Sequence, residues 1–234
     1  LHSSDNEIEA REYLSYLSEE FYNDIENKVK KIRNSGYFES QNVVRKLSKN
    51  GRRSKVELVK YKGNLCIKKT FKIDNDRFLD RELLASTKLA KKIKYIPKLV
   101  KCSKNFILLK YYKNVLENKK EEDLSKIFRE KIYEIIDLYF SFWEIGYAHL
   151  DINPDNIILT EKGKIKICDF EFLYKYENKK PDFLDSFDLK GVHKDFKNDL
   201  PNNQINRTIF QSWAKYLKKS FLLDSIENYL LDKN

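Results

Sequence analysis

The chain contains no methionine at all, an initiator included, so a fragment or a processed product is expected. Its three cysteines, Cys66, Cys102 and Cys168, are odd in number, far apart and never in a CxxC pair. Neither a disulfide framework nor a structural zinc site fits that usage, and a reducing, cytoplasmic compartment is the simplest expectation. No apolar run approaches the roughly 18 residues that a membrane-spanning helix needs. The N-terminus also lacks a basic start followed by an apolar stretch, so no secretory signal is read there. Internal repeats and low-complexity tracts are absent.

What is present suits a packed, soluble protein. At 234 residues, 41% hydrophobic and 14% aromatic, the chain can bury a core as one large domain or as two lobes around a cleft. The formal charge of +10 raises the question of a nucleic acid partner. However, 36 acidic residues are interleaved with the 46 basic ones, and the basic clusters (RKLSKNGRRSK, KLAKKIKYIPK) are short. A lysine-rich solvated surface is the better reading, with no nucleic acid partner expected. Such a surface still favours anionic ligands.

Residues 1–38 read as one amphipathic helix. Ser4 and Glu7 form a capping-box pattern, and Leu14, Leu17, Phe21, Ile25, Val29 and Ile32 recur at helical steps. Its expected role is packing, linkage to another domain, or self-association. Residues 41–73 change character: short alternating runs break at Asn50-Gly51 and at Lys62-Gly63-Asn64, which are hairpin signals. A helix is expected from Asp76 to Lys92, blocked by Pro97, and KLVKCS and NFILLKYY read as two further strands. From Asp123 to Gly146 the pattern predicts one deeply buried helix. A hairpin follows (NIILT, EKGK, KIKICDF), then a polar irregular stretch over 174–203, then one or two terminal helices.

Between the buried helix and the hairpin stands YAHLDINPDN, residues 147–156. Turn chemistry explains its Asn, Asp and Pro as composition, but not their order. Asp151 and Asn156 sit on the loop, and Asp169 ends the second strand of a hairpin that folds back toward Asn156. Two hard oxygen donors from facing loops suit Mg²⁺, which keeps waters and phosphate oxygens as its other ligands. Asp151 is then left to contact an acceptor hydroxyl.

His149-x-Asp151-x-x-x-x-Asn156 followed by Asp169-Phe170-Glu171 resembles the catalytic loop and metal motif of the protein-kinase-like superfamily. The likeness covers residues 41–172 in motif order. It implies an α+β, two-lobed fold: a small antiparallel-sheet lobe over 39–112 and a reduced, mostly helical lobe over 113–234, preceded by the helix of 1–38. It implies ATP and Mg²⁺ as cofactors, Asp151 as the group that orients or deprotonates the acceptor, and Asn156 and Asp169 as metal ligands. His149 becomes a structural support. Lys68, ending LCIK, matches the phosphate-contacting lysine; Lys69 is the alternative, but alternation with Cys66 turns Lys68 toward the cleft. Glu82 in RELL matches that lysine's partner. Gly51 and Ser54 fall at the second and third positions of a degraded glycine-rich loop, beside Lys49, Arg52, Arg53 and Lys55. Residues 108–112, with Lys110 and Tyr112 among the nucleotide contacts, match the hinge.

Four departures shape the expected chemistry. Leu150 replaces the arginine that pairs with an activation-segment phosphate, so no phospho-switch is expected. Asn153 stands where serine/threonine protein kinases usually carry lysine. Glu171 replaces the motif's glycine, as in choline and aminoglycoside kinases. No APE-like motif follows, and the peptide-docking part of the lower lobe is expected to be cut short. The style is closest to sugar and lipopolysaccharide-type kinases, with a glycan or small-molecule hydroxyl as acceptor. The alternatives are a serine/threonine protein kinase and a nucleotide-binding pseudokinase scaffold. Asp185, Asp188, His193 and Lys194 are candidate acceptor contacts.

Overall fold

A computed structural model describes residues 13, 16, 18–35, 42–47, 53–72, 76–177, 179–201 and 207–233. It is an α+β structure in which five short strands make one antiparallel sheet, preceded by a helix and followed by a mainly helical region. The strands are β1 (Val43–Lys46), β2 (Ser54–Tyr61), β3 (Asn64–Phe71), β4 (Leu99–Cys102) and β5 (Phe106–Lys110), in the order β1-β2-β3-β5-β4. Tyr61 pairs with Asn64 across Lys62-Gly63. Both turn residues have positive φ, 47° and 79°, as a two-residue hairpin of matching twist requires.

Pairing fixes which side chains share a face. Val56 lies opposite Lys69, Leu58 opposite Ile67, and Ile67 opposite Leu109. That face carries helix α2 (Asp76–Thr87), whose Phe78 and Leu79 pack on Phe71, Ile107 and Leu109. The other face gathers Val59, Cys66 and Leu108 in a separate small cluster. The expected helix to Lys92 ends earlier, at Thr87. A 3₁₀ turn over Leu89–Lys91 then steers Ile93, Tyr95 and Ile96 into the core of the helical region.

The helix expected over 123–146 is two, α3 (Glu121–Glu130) and α4 (Ile132–Glu144), broken at Lys131. Ile135, Ile136, Leu138, Tyr139 and Phe142 of α4 are essentially inaccessible. They pack in one core with Trp213, the last residue of a short helix, and with Ile226 and Tyr229 of the terminal helix Lys219–Lys233. Tyr139 does more than fill space: its hydroxyl accepts from Trp213 Nε1 (2.9 Å) and donates to the carbonyl of Ile152 (2.8 Å). The core thereby grips the loop that carries Asp151.

Asn114 ties the start of the second region to Leu159 and Thr160 within it. Its Oδ1 accepts from the amides of Leu116 (3.2 Å) and Leu159 (3.0 Å), and it bridges to Thr160. Asn114→Ala leaves two amides without their acceptor, so denaturant unfolding should show a loss of about 1–3 kcal/mol.

The opening helix is present as α1 (Glu19–Ser35), with the Phe21 amide donating to Ser18 Oγ at 3.1 Å as its cap. The expected box at Ser4 and Glu7 lies outside the described residues. Among the described residues, no helix is long and apolar enough to cross a membrane.

Candidate active site

Strand β6 (Tyr147–Ala148) delivers the chain to His149, which is fully buried between Phe142 and Phe170, ring centroids 5.5 and 5.1 Å away. Burial pulls its pKa down to about 4, so it sits there neutral. The His149 and Leu150 amides donate to the two oxygens of Asp188 (2.8 and 2.7 Å). Asp188 is therefore a clamp on the loop's backbone rather than the acceptor contact expected of it. Leu150 adopts φ 64° and Asp169 φ 68°, left-handed conformations that cost about 1–3 kcal/mol each and persist where surrounding structure enforces them.

Asp151 is nearly saturated with donors. Its Oδ1 accepts from Asn153 Nδ2 (2.8 Å) and Arg207 Nη1 (3.0 Å), and its Oδ2 from Asn156 Nδ2 (2.9 Å). Asn153 also caps the 3₁₀ turn Pro154–Asn156 by accepting from the Asp155 amide at 3.0 Å. Burial and the nearby charge of Asp169 push the Asp151 carboxyl up to about 6, against the pull of Arg207 and the two amides.

The hairpin of β7 (Ile157–Leu159) and β8 (Ile165–Ile167) pairs Ile157 with Ile167, and the Cys168 amide donates to the Asn156 carbonyl at 3.0 Å. That register sets Asp169 beside Asn156. Asn156 turns its amide nitrogen to Asp151, donating to the backbone oxygen and to Oδ2. Its Oδ1 is thus left facing other partners, as a metal ligand must be.

The lysine brought to this centre is Lys69, not Lys68. Lys69 Nζ donates to Glu82 Oε1 (2.6 Å) and Asp169 Oδ1 (2.8 Å), and lies 3.0 Å from Glu171 Oε1. Burial disfavours its charge, but the three carboxylates override it and raise its pKa well above the ordinary value. Lys68 projects from the opposite face, its Nζ 4.8 Å from the Phe106 ring centroid. Alternation along β3 holds; the error lay in its anchor, because Cys66 belongs to the face turned away from α2 and the cleft.

Glu82 is 1% exposed and also accepts from the Phe170 amide at 3.0 Å, so one carboxylate fixes both Lys69 and the backbone beside Asp169. Its pKa is raised by burial. For Asp169 burial pulls the same way, yet Lys69 prevails and its carboxyl lies below the usual range.

Glu82, Asp169 and Glu171 offer oxygens within 4.8 Å of one another, spacing that could hold a metal ion. The cation at their centre, however, is the Lys69 ammonium. Asp169 Oδ2 and Asn156 Oδ1 are the hard oxygens that could hold a metal instead.

Glu171 is the residue whose role the sequence left unread. It accepts from Ser54 Oγ (3.0 Å), pairs with Arg53 Nε (2.6 Å), and its backbone oxygen accepts from Arg81 Nη1 (2.8 Å). Ser54 is therefore tied to the motif across the cleft. Gly51 lies outside the described residues. A further clasp holds α2: Arg77 grips Asp199 through two hydrogen bonds of 2.9 Å, and Arg81 pairs with it at 2.9 Å.

Beneath β1 and β2 lies a cavity of about 700 Å³, lined by Val44, Arg45 and Leu58 above and by Tyr111, Lys113 and Asn114 behind. The expected hinge contacts Lys110 and Tyr112 do not line it. Lys110 pairs with Cys66, on the far face, and the Tyr112 ring receives the ammonium groups of Lys110 and Lys166 at 5.5 and 5.6 Å.

No protein-family model matches the chain. Among curated proteins it is 39% identical over 54 residues to Serine/threonine-protein kinase Genghis Khan of Drosophila melanogaster, which covers 23% of this chain and 3% of that protein. It is 25% identical over 119 residues to Cyclin-dependent kinase-like 4 of Mus musculus, covering 46% of this chain and 34% of that one. The chain thus spans 34% or less of the length of these two relatives. Both likenesses support a kinase-like chain; neither extends to the sugar-kinase style.

Proposed function

We propose that the chain is a phosphotransferase that moves the γ-phosphate of Mg-ATP to a hydroxyl. The observation that carries this reading is the convergence of Lys69 and Glu82 from one side of the cleft with Asp169, Asn156 and Asp151 from the other. Residues 39–112 form the nucleotide-gripping lobe and residues 113–234 the acceptor-bearing one. The cavity beneath β1 and β2 takes the base, with the apolar side chains of Val44 and Leu58 against it. Lys69 reaches the phosphates. Asn156 and Asp169 would hold Mg²⁺, which supplies neutralisation of phosphate charge. Asp151 receives the acceptor's proton, and its fixed orientation by Asn153 and Asn156 is most of what the protein contributes.

The acceptor we favour is a sugar, glycan or other non-protein hydroxyl. Among the described residues of 170–186, which connect Asp169 toward the Asp188 clamp, the regular structure is a two-residue strand (β9, Tyr174–Lys175) and a 3₁₀ turn, leaving little platform for a peptide. A serine/threonine protein kinase is the second reading, favoured by the name of one relative, Serine/threonine-protein kinase Genghis Khan. Incubation with γ-labelled ATP and separate pools of glycans, small alcohols and proteins decides between them by which pool takes label. Mg-ATP binding without label transfer or phosphate release would sink both in favour of a scaffold.

The base sets a pH prediction. Asp151 must be ionised to accept a proton, and its carboxyl is pushed up to about 6. Activity should therefore fall as pH drops through about 6, and a pH profile of kcat/KM, which reports the free enzyme, reads it directly. An acid limb near the ordinary carboxylate value would contradict the assignment.

A further inference from the structure

Asn153 stands where a lysine would put positive charge two residues after the base, and here it brings none: its amide holds Asp151 and caps the turn. The charge arrives from elsewhere. Arg207, 56 positions along the chain and immediately before the capping box of the helix Ile209–Trp213, places Nη1 3.0 Å from Asp151 Oδ1, with about a quarter of its side chain exposed. We infer that Arg207 is a catalytic residue, the acceptor-side cation that stabilises the transferring phosphoryl group. The inference rests on the phosphotransferase reading and adds to it a residue that the motif does not contain.

The geometry runs through one carboxylate. Asp151 Oδ1 already accepts from Asn153 and Arg207 and Oδ2 from Asn156 alone, so Oδ2 has the lone pair left for the acceptor. A hydroxyl must come within about 2.6–3.2 Å of Oδ2 to lose its proton. Arg207 Nη1 lies 3.0 Å from the other oxygen of the same carboxylate, so the guanidinium and the nucleophile flank one carboxylate. In the reaction the acceptor O–H bond breaks with its proton passing to Asp151. The acceptor oxygen bonds to the γ-phosphorus as the bond to the β,γ-bridging oxygen breaks, and that electron pair leaves with ADP. Negative charge spreads over the equatorial oxygens between donor and acceptor. Lys69 approaches from the donor side, and Arg207 with its remaining N–H groups from the other. Arginine suits that task because its planar fork binds phosphate bidentately and stays charged.

The test needs no identified acceptor. Binding of Mg-ADP to the full chain is measured with and without fluoroaluminate, which mimics the phosphoryl group in transit, for wild type, Arg207→Ala and Arg207→Lys. Phosphate release from Mg-ATP to water is followed in parallel. Wild type should bind Mg-ADP more tightly when fluoroaluminate is added. Arg207→Ala should lose most of that gain, keep Mg-ADP affinity within about threefold, and release phosphate about 10²–10³-fold more slowly. Arg207→Lys should recover part of the gain, and added guanidinium ion should partly restore Arg207→Ala where urea does not.

A full fluoroaluminate gain in Arg207→Ala overturns the arginine's role. So does equal loss of Mg-ADP binding and thermal stability, the mark of a merely structural residue. Failure of fluoroaluminate to tighten binding in wild type would overturn the phosphotransferase reading itself.

Discussion

Asp151→Asn should lower turnover by about 10²–10⁴-fold while leaving the fold and Mg-ATP binding intact. The carboxamide is nearly isosteric and can still accept from Asn153 or Asn156, so the loop stays clamped by Asp188 and Tyr139. What disappears is the capacity to take a proton from the acceptor. Removing the charge also relieves the repulsion that Asp169 exerts on this site, so the melting temperature should hold or rise. Near-normal phosphate transfer by Asp151→Asn would contradict the assignment of the base. A collapse of thermal stability would instead show that the group is structural.

The second large effect separates two adjacent lysines. Lys69→Met should abolish measurable transfer and destabilise the protein, because it strands Glu82, 1% exposed, beside Asp169 with their shared cation gone and leaves Glu171 to Arg53 and Ser54. Breaking a buried ion pair by removing one partner costs about 3–5 kcal/mol. Protonation of the stranded carboxylates will recover part of that, since burial already pushes Glu82 toward its neutral form. Lys68→Met removes an ammonium near the Phe106 ring, on the face away from the cleft, where a cation–π contact contributes about 0.5–1 kcal/mol. Its kcat should stay within about twofold of wild type, by the same barrier arithmetic that equates tenfold in rate with about 1.4 kcal/mol. Denaturant titration and steady-state rates on the two variants give the comparison. Equal losses for both would return Lys68 to the site.

That pair of residues also shows where reading a sequence stops. The strands around Lys62-Gly63, the hairpin that sets Asp169 beside Asn156, and the buried character of α4 are local consequences of turn chemistry and periodicity, and they were legible. Lys68 was misplaced because alternation gives two faces but not which one meets the cleft. That choice depends on helix α2 lying against Phe71, Ile107 and Leu109. The hinge was displaced in the same way: Tyr111 lines the cavity, whereas Lys110 shares a face with Cys66. The break at Lys131 has no glycine or proline to announce it. Glu171 was visible as a replaced glycine, but its partners Arg53, Ser54 and Lys69 come from β2, β3 and the residue before them, more than 100 positions away. Arg207 falls at the start of the segment read as terminal helices and carries no motif, so only tertiary structure could bring it to Asp151.

The grip of Arg77 and Arg81 on Asp199 reaches past its own three bonds. The anion that seats helix α2 is an ordinary carboxylate, in place as soon as the chain folds and with no covalent mark to be added.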